Sequence, residues 1–194
     1  FFQQVRILIY DNYDSFTYNL LHMLEAVDEK VRVEVMRNDD PELDKWKNFD
    51  KVVLSPGPGL PQQAGLLMSF IQNAEGRIPI LGVCLGQQAL AMHYGGKLKN
   101  LRQVLHGQSI PANIVDPTEP LFCGVPSTFM TGRYHSWVVD RDYLPAELRI
   151  TALDDSGEIM ALRHREFDIA AVQFHPESVL TPLGAQILSN WIKL

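Results

Sequence analysis

The chain alternates short, almost unbroken apolar blocks with longer stretches whose hydrophobic residues recur every three or four positions. Residues 5–10 (Val-Arg-Ile-Leu-Ile-Tyr) form an apolar run of strand length. Residues 15–26 place Phe16, Leu20, Leu21 and Leu24 at helical spacing, and Asp14 is the expected N-cap. Residues 31–36 alternate with period two, and residues 51–54 predict another short strand. A helix over 64–74, a strand over 78–83 and a helix over 87–94 continue the series. Strands separated by helices of this length predict βαβ units and a largely parallel, doubly wound sheet.

The second half changes character. Residues 104–115, 127–131, 148–153, 159–165 and 169–174 read as successive strands, and residues 155–157 and 166–168 as hairpin turns. Such closely spaced strands predict antiparallel additions to the sheet. A closing helix is expected over 183–192, with Thr181 near its start and Pro182 in its first turn. No repeat or low-complexity linker interrupts the 194 residues, so one α/β domain spanning 1–194 is expected.

In open α/β sheets, ligands collect beyond the carboxyl ends of the strands. Asp11, the Pro-Gly loop at 56–59, Cys84 and His175 each follow a predicted strand and should meet on one edge. Two of these segments carry chemistry. In Gly82-Val83-Cys84-Leu85-Gly86, a cysteine sits between glycines at a strand-to-helix junction, the thiol counterpart of a nucleophile elbow. The glycines permit a sharp turn, and the start of the following helix favours negative charge on the sulfur. In Gln173-Phe174-His175-Pro176-Glu177-Ser178, an extended backbone would set His175 and Glu177 on one side, about 6.6 Å apart along the strand. Glu177 would then orient one ring nitrogen while the other meets the thiol. A lone cysteine is usually a small buried hydrophobe, and a lone His-Pro-Glu an ordinary strand end; the pair together is specific.

These stretches resemble the class I (triad) glutamine amidotransferases. Tyr10-Asp11-Asn12-Tyr13-Asp14-Ser15-Phe16-Thr17, Ser55-Pro56-Gly57-Pro58-Gly59 and Arg133-Tyr134-His135-Ser136 narrow the resemblance to the glutaminase subunits of anthranilate synthase and aminodeoxychorismate synthase. It runs from about Arg6 to the C-terminus. The fold it implies is a single flavodoxin-like domain, and the activity is hydrolysis of L-glutamine with delivery of ammonia to a separate chorismate-binding subunit. It also implies that Ser136 and Trp137 contribute backbone contacts to glutamine. Related chains often carry lysine after His-Gly, whereas this one has Gln108 in His106-Gly107-Gln108-Ser109.

Within that scheme Cys84 attacks the carboxamide carbon, His175 moves the protons and Glu177 steadies the imidazole. An oxyanion needs donors about 3 Å away. The Leu85 N–H, directly after the nucleophile, is one expected donor, and the loop containing Gly57 and Gly59 should supply another, with Pro58 unable to donate. The resemblance implies that Gln88, four residues beyond Cys84 on the same helix face, binds the amino-acid end of the substrate; spacing alone would favour an ordinary polar helix residue.

Composition sets the remaining limits. A net charge of −6 argues against a nucleic-acid or anionic-membrane surface. Two widely separated cysteines make no disulfide framework and suit a reducing compartment, so a cytoplasmic protein is expected. No apolar run is long enough to span a bilayer, and Arg6 and Asp11 bracket a run too short for a signal peptide. No cysteine or histidine spacing suggests zinc, and no glycine-rich phosphate loop is present, so no metal or cofactor is expected. Cys123 reads as a packed thiol, His22, His93 and His164 as structural, and His106 and His135 as neighbours of the site. Anthranilate synthase leads, with aminodeoxychorismate synthase, or service to both, second. A free-standing γ-glutamyl or amide hydrolase, and a non-catalytic flavodoxin-like module, are the readings from other classes.

Overall fold

The computed structural model describes residues 4–194; residues 1–3 of the expected domain lie outside the described residues. Five strands run parallel: β1 (Val5–Asp11), β2 (Val31–Arg37), β3 (Lys51–Leu54), β4 (Ile80–Val83) and β9 (Ile169–Val172), in the order β2-β1-β3-β4-β9. The same sheet continues antiparallel through β8 (Ile159–His164), β7 (Leu148–Leu153), β5 (Leu98–Ile114) and β6 (Thr128–Val139). The described residues thus form one nine-stranded mixed sheet, parallel in the first half and antiparallel later.

Helices cover both faces of the parallel part, which is why β3, β4 and β9 are buried at every position, whereas the edge strand β2 alternates. Ile7, Ile9, Val53 and Leu81 pack on one side with Leu20 and Leu24 of α1 (Thr17–Val27) and Ile187, Leu188 and Trp191 of α4 (Gly184–Lys193). Leu8, Tyr10, Val52 and Leu54 pack on the other with Leu67, Phe70 and Ile71 of α2 (Leu67–Ala74) and Leu85, Ala89 and Leu90 of α3 (Leu85–His93). A fully buried side chain of this kind contributes about 1.5–3 kcal/mol, so the two layers hold the strand ends, and the loops leaving them, in fixed positions.

Several boundaries differ from the sequence expectation, each for a local reason. Helix α1 starts at Thr17, and Asp14 does not cap it: its carboxylate accepts from the Phe16 N–H at 2.9 Å and closes the turn before the helix. Asp11 accepts from the Thr17 hydroxyl at 2.7 Å. Helix α2 starts at Leu67 rather than 64, because Gly65 adopts φ +54° and the Leu66 N–H bonds the Asn38 carbonyl. Pro182 lies outside α4, which begins at Gly184. Strand β6 runs to Val139, well past the strand expected over 127–131, so Tyr134, His135, Ser136 and Trp137 sit on it. Its partner β5 slips register between Asn100 and Leu105 and again between His106 and Gln108, at Gly107 with φ +66°.

Candidate active site

Cys84 stands between β4 and α3 with φ 52° and ψ −101°, a conformation that costs a non-glycine residue about 1–3 kcal/mol. Close packing on both sides enforces it. A Cβ on Gly82 would fall 2.7 Å from the Gly86 carbonyl carbon, and one on Gly86 would fall 2.5 Å from the Leu54 carbonyl oxygen. The Cys84 N–H donates to Val172 at 2.8 Å, tying the elbow to β9, and its carbonyl accepts from the Gln88 N–H at 3.2 Å. Leu85 opens α3, so its N–H belongs to the first turn, whose donors have no partner within the helix.

His175 lies in a turn, not in the extended chain expected from sequence. The Ser178 N–H closes on the His175 carbonyl at 3.2 Å, and the Thr181 hydroxyl donates to the same oxygen at 2.7 Å. The His175 N–H donates to Gly132 of β6 at 3.1 Å. Gly184 presses its backbone against the Pro176 carbonyl, where no Cβ would fit. The turn brings Glu177 Oε1 to 2.6 Å from His175 Nδ1, and both side chains are buried. The rings of Tyr134 and Phe16 meet the imidazole edge-on, at centroid distances of 4.9 and 6.5 Å. Burial works against a charged imidazole, but the neighbouring Cys84 sulfur and then Glu177 outweigh it, lifting the His175 pKa to about 11. Nε2, the nitrogen free of Glu177, has no hydrogen-bond partner among the described residues. The Cys84 sulfur and Glu177 thus both favour the protonated form of the ring.

Two cavities share Cys84. The first, about 190 Å³, is lined by Gly57, Gly59, Leu85, Gln88, Ser136 and Trp137, together with His106 and His135. Every residue that the sequence suggested for oxyanion or substrate contact therefore meets the nucleophile in one cleft. The second, about 420 Å³, lies towards His175 and is bordered by Tyr13, Phe16, Pro56, His106 and Tyr134. The loop between the cavities is braced by Asn12, whose N–H donates to Ser55 Oγ at 2.8 Å and whose Nδ2 donates to the Ser55 carbonyl at 2.9 Å. A Cβ on Gly57 would fall 2.6 Å from both Asn12 Cβ and the Asn12 carbonyl oxygen, so only glycine fits.

Other assignments need revision or addition. Cys123 is exposed rather than packed, although its backbone is held on both sides, the N–H by the Pro120 carbonyl at 3.1 Å and the carbonyl by Gln186 and Asn190. Gln88 Nε2 is already engaged, by the Trp137 carbonyl at 2.9 Å and Gln173 Oε1 at 3.3 Å. His164 Nδ1 accepts from the N–H groups of Glu166 and Phe167, and His93 pairs with Glu75 at 2.9 Å. His135 is buried with both ring nitrogens unpartnered among the described residues, and burial followed by repulsion from Arg133 and His175 pulls its pKa down to about 4. Sequence reasoning gave no role to Asn12, Tyr134 or Gln173, although each lies in a sequence motif; the contacts that define them bridge separate strands. No cluster of three or more potential metal ligands occurs among the described residues, and none of their helices is long and apolar enough to cross a membrane.

The family model of class-I glutamine amidotransferases matches residues 8–194. The chain belongs to this family. A solved structure from Thermoplasma acidophilum, described as that of a candidate GMP synthase component, superposes with a TM-score of 0.87 at 24% identity, covering 100% of this chain and 94% of that one. At that identity the likeness speaks for the amidotransferase fold alone. Aminodeoxychorismate synthase component 2 of Escherichia coli is 44% identical over 189 residues, 96% of this chain and 98% of that protein. Anthranilate synthase component 2 of Pseudomonas aeruginosa is 39% identical over 194 residues, 96% and 94% of the two chains. Bifunctional protein TrpGD of Thermotoga maritima is 42% identical over 191 residues, and there the alignment covers 97% of this chain but only 32% of that protein. The amidotransferase match thus spans all the elements that build the two cavities.

Proposed function

We propose that the chain is the glutaminase subunit of an anthranilate synthase, acting in the cytoplasm with a separate chorismate-binding subunit. The observation that carries this is the single cleft in which Cys84 meets Gly57, Leu85, Gln88, Ser136 and Trp137, with His175, paired to Glu177, lining the adjoining cavity that shares Cys84. Glutamine enters the 190 Å³ cavity with its carboxamide at Cys84. The sulfur attacks the carboxamide carbon, and the oxyanion is held by the Leu85 N–H and the Gly57–Gly59 loop. His175 gives its Nε2 proton to the departing nitrogen, ammonia leaves, and a glutamyl thioester remains on Cys84. His175, now neutral, takes a proton from water as that water attacks the thioester, and glutamate is released with the sulfur restored. The second cavity, opening from Cys84 past His175 and Phe16, is the exit proposed for ammonia towards the synthase subunit.

Aminodeoxychorismate synthase is the second reading, favoured by the 44% identity to the Escherichia coli component 2; the site residues suit either acceptor reaction. Steady-state assays with each candidate chorismate-binding subunit test both. Glutamine-dependent anthranilate formation, with glutaminase activity rising on complex formation and ammonia bypassing Cys84→Ser, is the expected result. Product only with the aminodeoxychorismate partner moves the assignment to that pathway. Full glutaminase activity in the isolated chain, unchanged by either partner, favours a free hydrolase and overturns both.

A further inference from the structure

Gln173 has no role in the triad, yet it sits against the nucleophile. It is fully buried at the end of β9, its N–H held by the Met160 carbonyl of β8 at 2.9 Å. Its Nε2 donates to Cys84 Sγ at 3.5 Å. Its Oε1 accepts from Gln88 Nε2 at 3.3 Å, and the same Gln88 nitrogen donates to the Trp137 carbonyl at 2.9 Å. The direction of this chain of bonds is determined. Turning the Gln173 amide over would set its nitrogen against the Gln88 nitrogen and its oxygen against the sulfur, replacing two attractive contacts by two repulsive ones.

We infer that Gln173 is a positioning residue for the nucleophile: its amide N–H steadies the Cys84 sulfur through a relay that begins at the Trp137 wall of the substrate cleft. The inference rests on the reading of Cys84 as the nucleophile. A thiolate gains from a neutral donor as well as from a cation, and hydrogen bonds to charged groups are stronger than neutral ones. Gln173 differs from His175 in having no proton to give, so its bond to sulfur survives the changes of protonation in both half-reactions. The relay also redefines Gln88. Both protons of its amide nitrogen are used within the protein, which leaves Oε1 as the atom able to accept from a ligand N–H. The titratable group that bears on the sulfur is His175, and Glu177, Asp14 and His135 act in turn on His175. All remain in place when Gln173 is replaced.

The test is the pH dependence of Cys84 alkylation by iodoacetamide, mapped by peptide so that exposed Cys123 is counted separately. Wild type is compared with Gln173→Met, which keeps the length without the donor, and Gln173→Glu, which keeps the shape with a charge. The relay predicts a midpoint about one pH unit higher in Gln173→Met, with alkylation up to about tenfold slower at pH values below the wild-type midpoint. At those pH values it also predicts a matching fall in kcat, with the KM for glutamine within about twofold. Gln173→Glu should shift the midpoint at least as far, and it carries the test if Gln173→Met does not fold by circular dichroism. An unchanged midpoint in a folded variant, or a change confined to KM, overturns the inference. If Cys84 in wild type reacts like Cys123 at every pH, the reading of Cys84 as nucleophile fails as well.

Discussion

Replacing Glu177 by glutamine separates two jobs that the triad gives its carboxylate. In the resting site two groups favour the protonated form of the His175 ring, the neighbouring Cys84 sulfur and Glu177 Oε1 at 2.6 Å. Once the substrate has acylated Cys84 the sulfur carries no charge, and Glu177 is left as the anion that holds any positive charge on the ring. Burial of His175 then works against protonation with one opponent fewer. The amide introduced by Glu177→Gln would keep an acceptor for Nδ1 but turn a charge-assisted bond into a neutral one, a loss of about 1–2 kcal/mol. Its nitrogen would occupy the position of Oε2, which has no partner among the described residues, at a further cost of about 1 kcal/mol or more. The first loss corresponds to a fall in kcat of about 5- to 30-fold, while the second is present in ground and transition states alike and lowers stability instead. The substrate cleft is lined by other residues, so KM should stay within about twofold. Iodoacetamide reactivity of Cys84 should fall much less than kcat, because the resting interaction of Cys84 with His175 survives. Glutaminase kinetics with the partner subunit, alkylation rates and circular dichroism on one preparation test this. A raised KM at unchanged kcat, or alkylation slowed as much as turnover, refutes the division of labour.

The elbow and the two buried histidines give further expectations. Gly86→Ala should lower stability by about 2 kcal/mol and the Tm by about 5 °C despite alanine's better helix propensity, because its Cβ meets the Leu54 backbone at 2.5 Å; a Tm at or above wild type in a thermal melt contradicts the packing argument. His175, with its pKa raised to about 11, contributes stability that is complete below about 6.5 and is lost as pH rises towards 11. His135, held down to about 4, acts in the opposite window: unfolding gains as pH falls from about 6.5 towards 4, by about 2 kcal/mol at pH 5. Urea unfolding of His135→Leu at pH 8 and pH 5 should therefore show a smaller acid loss than wild type, and an equal loss removes His135 from the account.

The parallel half of the fold was legible because its physics is local. A strand buried on both faces is a short apolar run, and Lys51–Leu54 appears where the run predicts it. The ends of elements were less legible where a single backbone angle or a distant carbonyl decides them, as at Gly65 and Leu66 in front of α2. The long β5–β6 ribbon was seen in part, since the largely exposed β5 is bulged and neither strand keeps a sustained alternation. For the site, Cys84, His175 and Glu177 stand in motifs whose chemistry is readable from residue type. The turn that joins His175 to Glu177 was not, because it depends on Thr181, Gly132 and Gly184 from elsewhere in the chain. Gln173 and Gln88 show the same limit: two glutamines 85 positions apart reveal their relay only when β9 and α3 are side by side.

The central claim is that Cys84, though buried, is the thiol that glutamine reaches, while the exposed Cys123 takes no part. A diazoketone analogue of glutamine, followed by peptide mapping in the mass spectrometer, tests it directly. Accessibility alone would direct the label to Cys123; the site geometry directs it to Cys84. The account predicts one adduct per chain, on Cys84, suppressed by excess glutamine and unaffected by Cys123→Ser. Label on Cys123, or on both thiols without protection by glutamine, would contradict it.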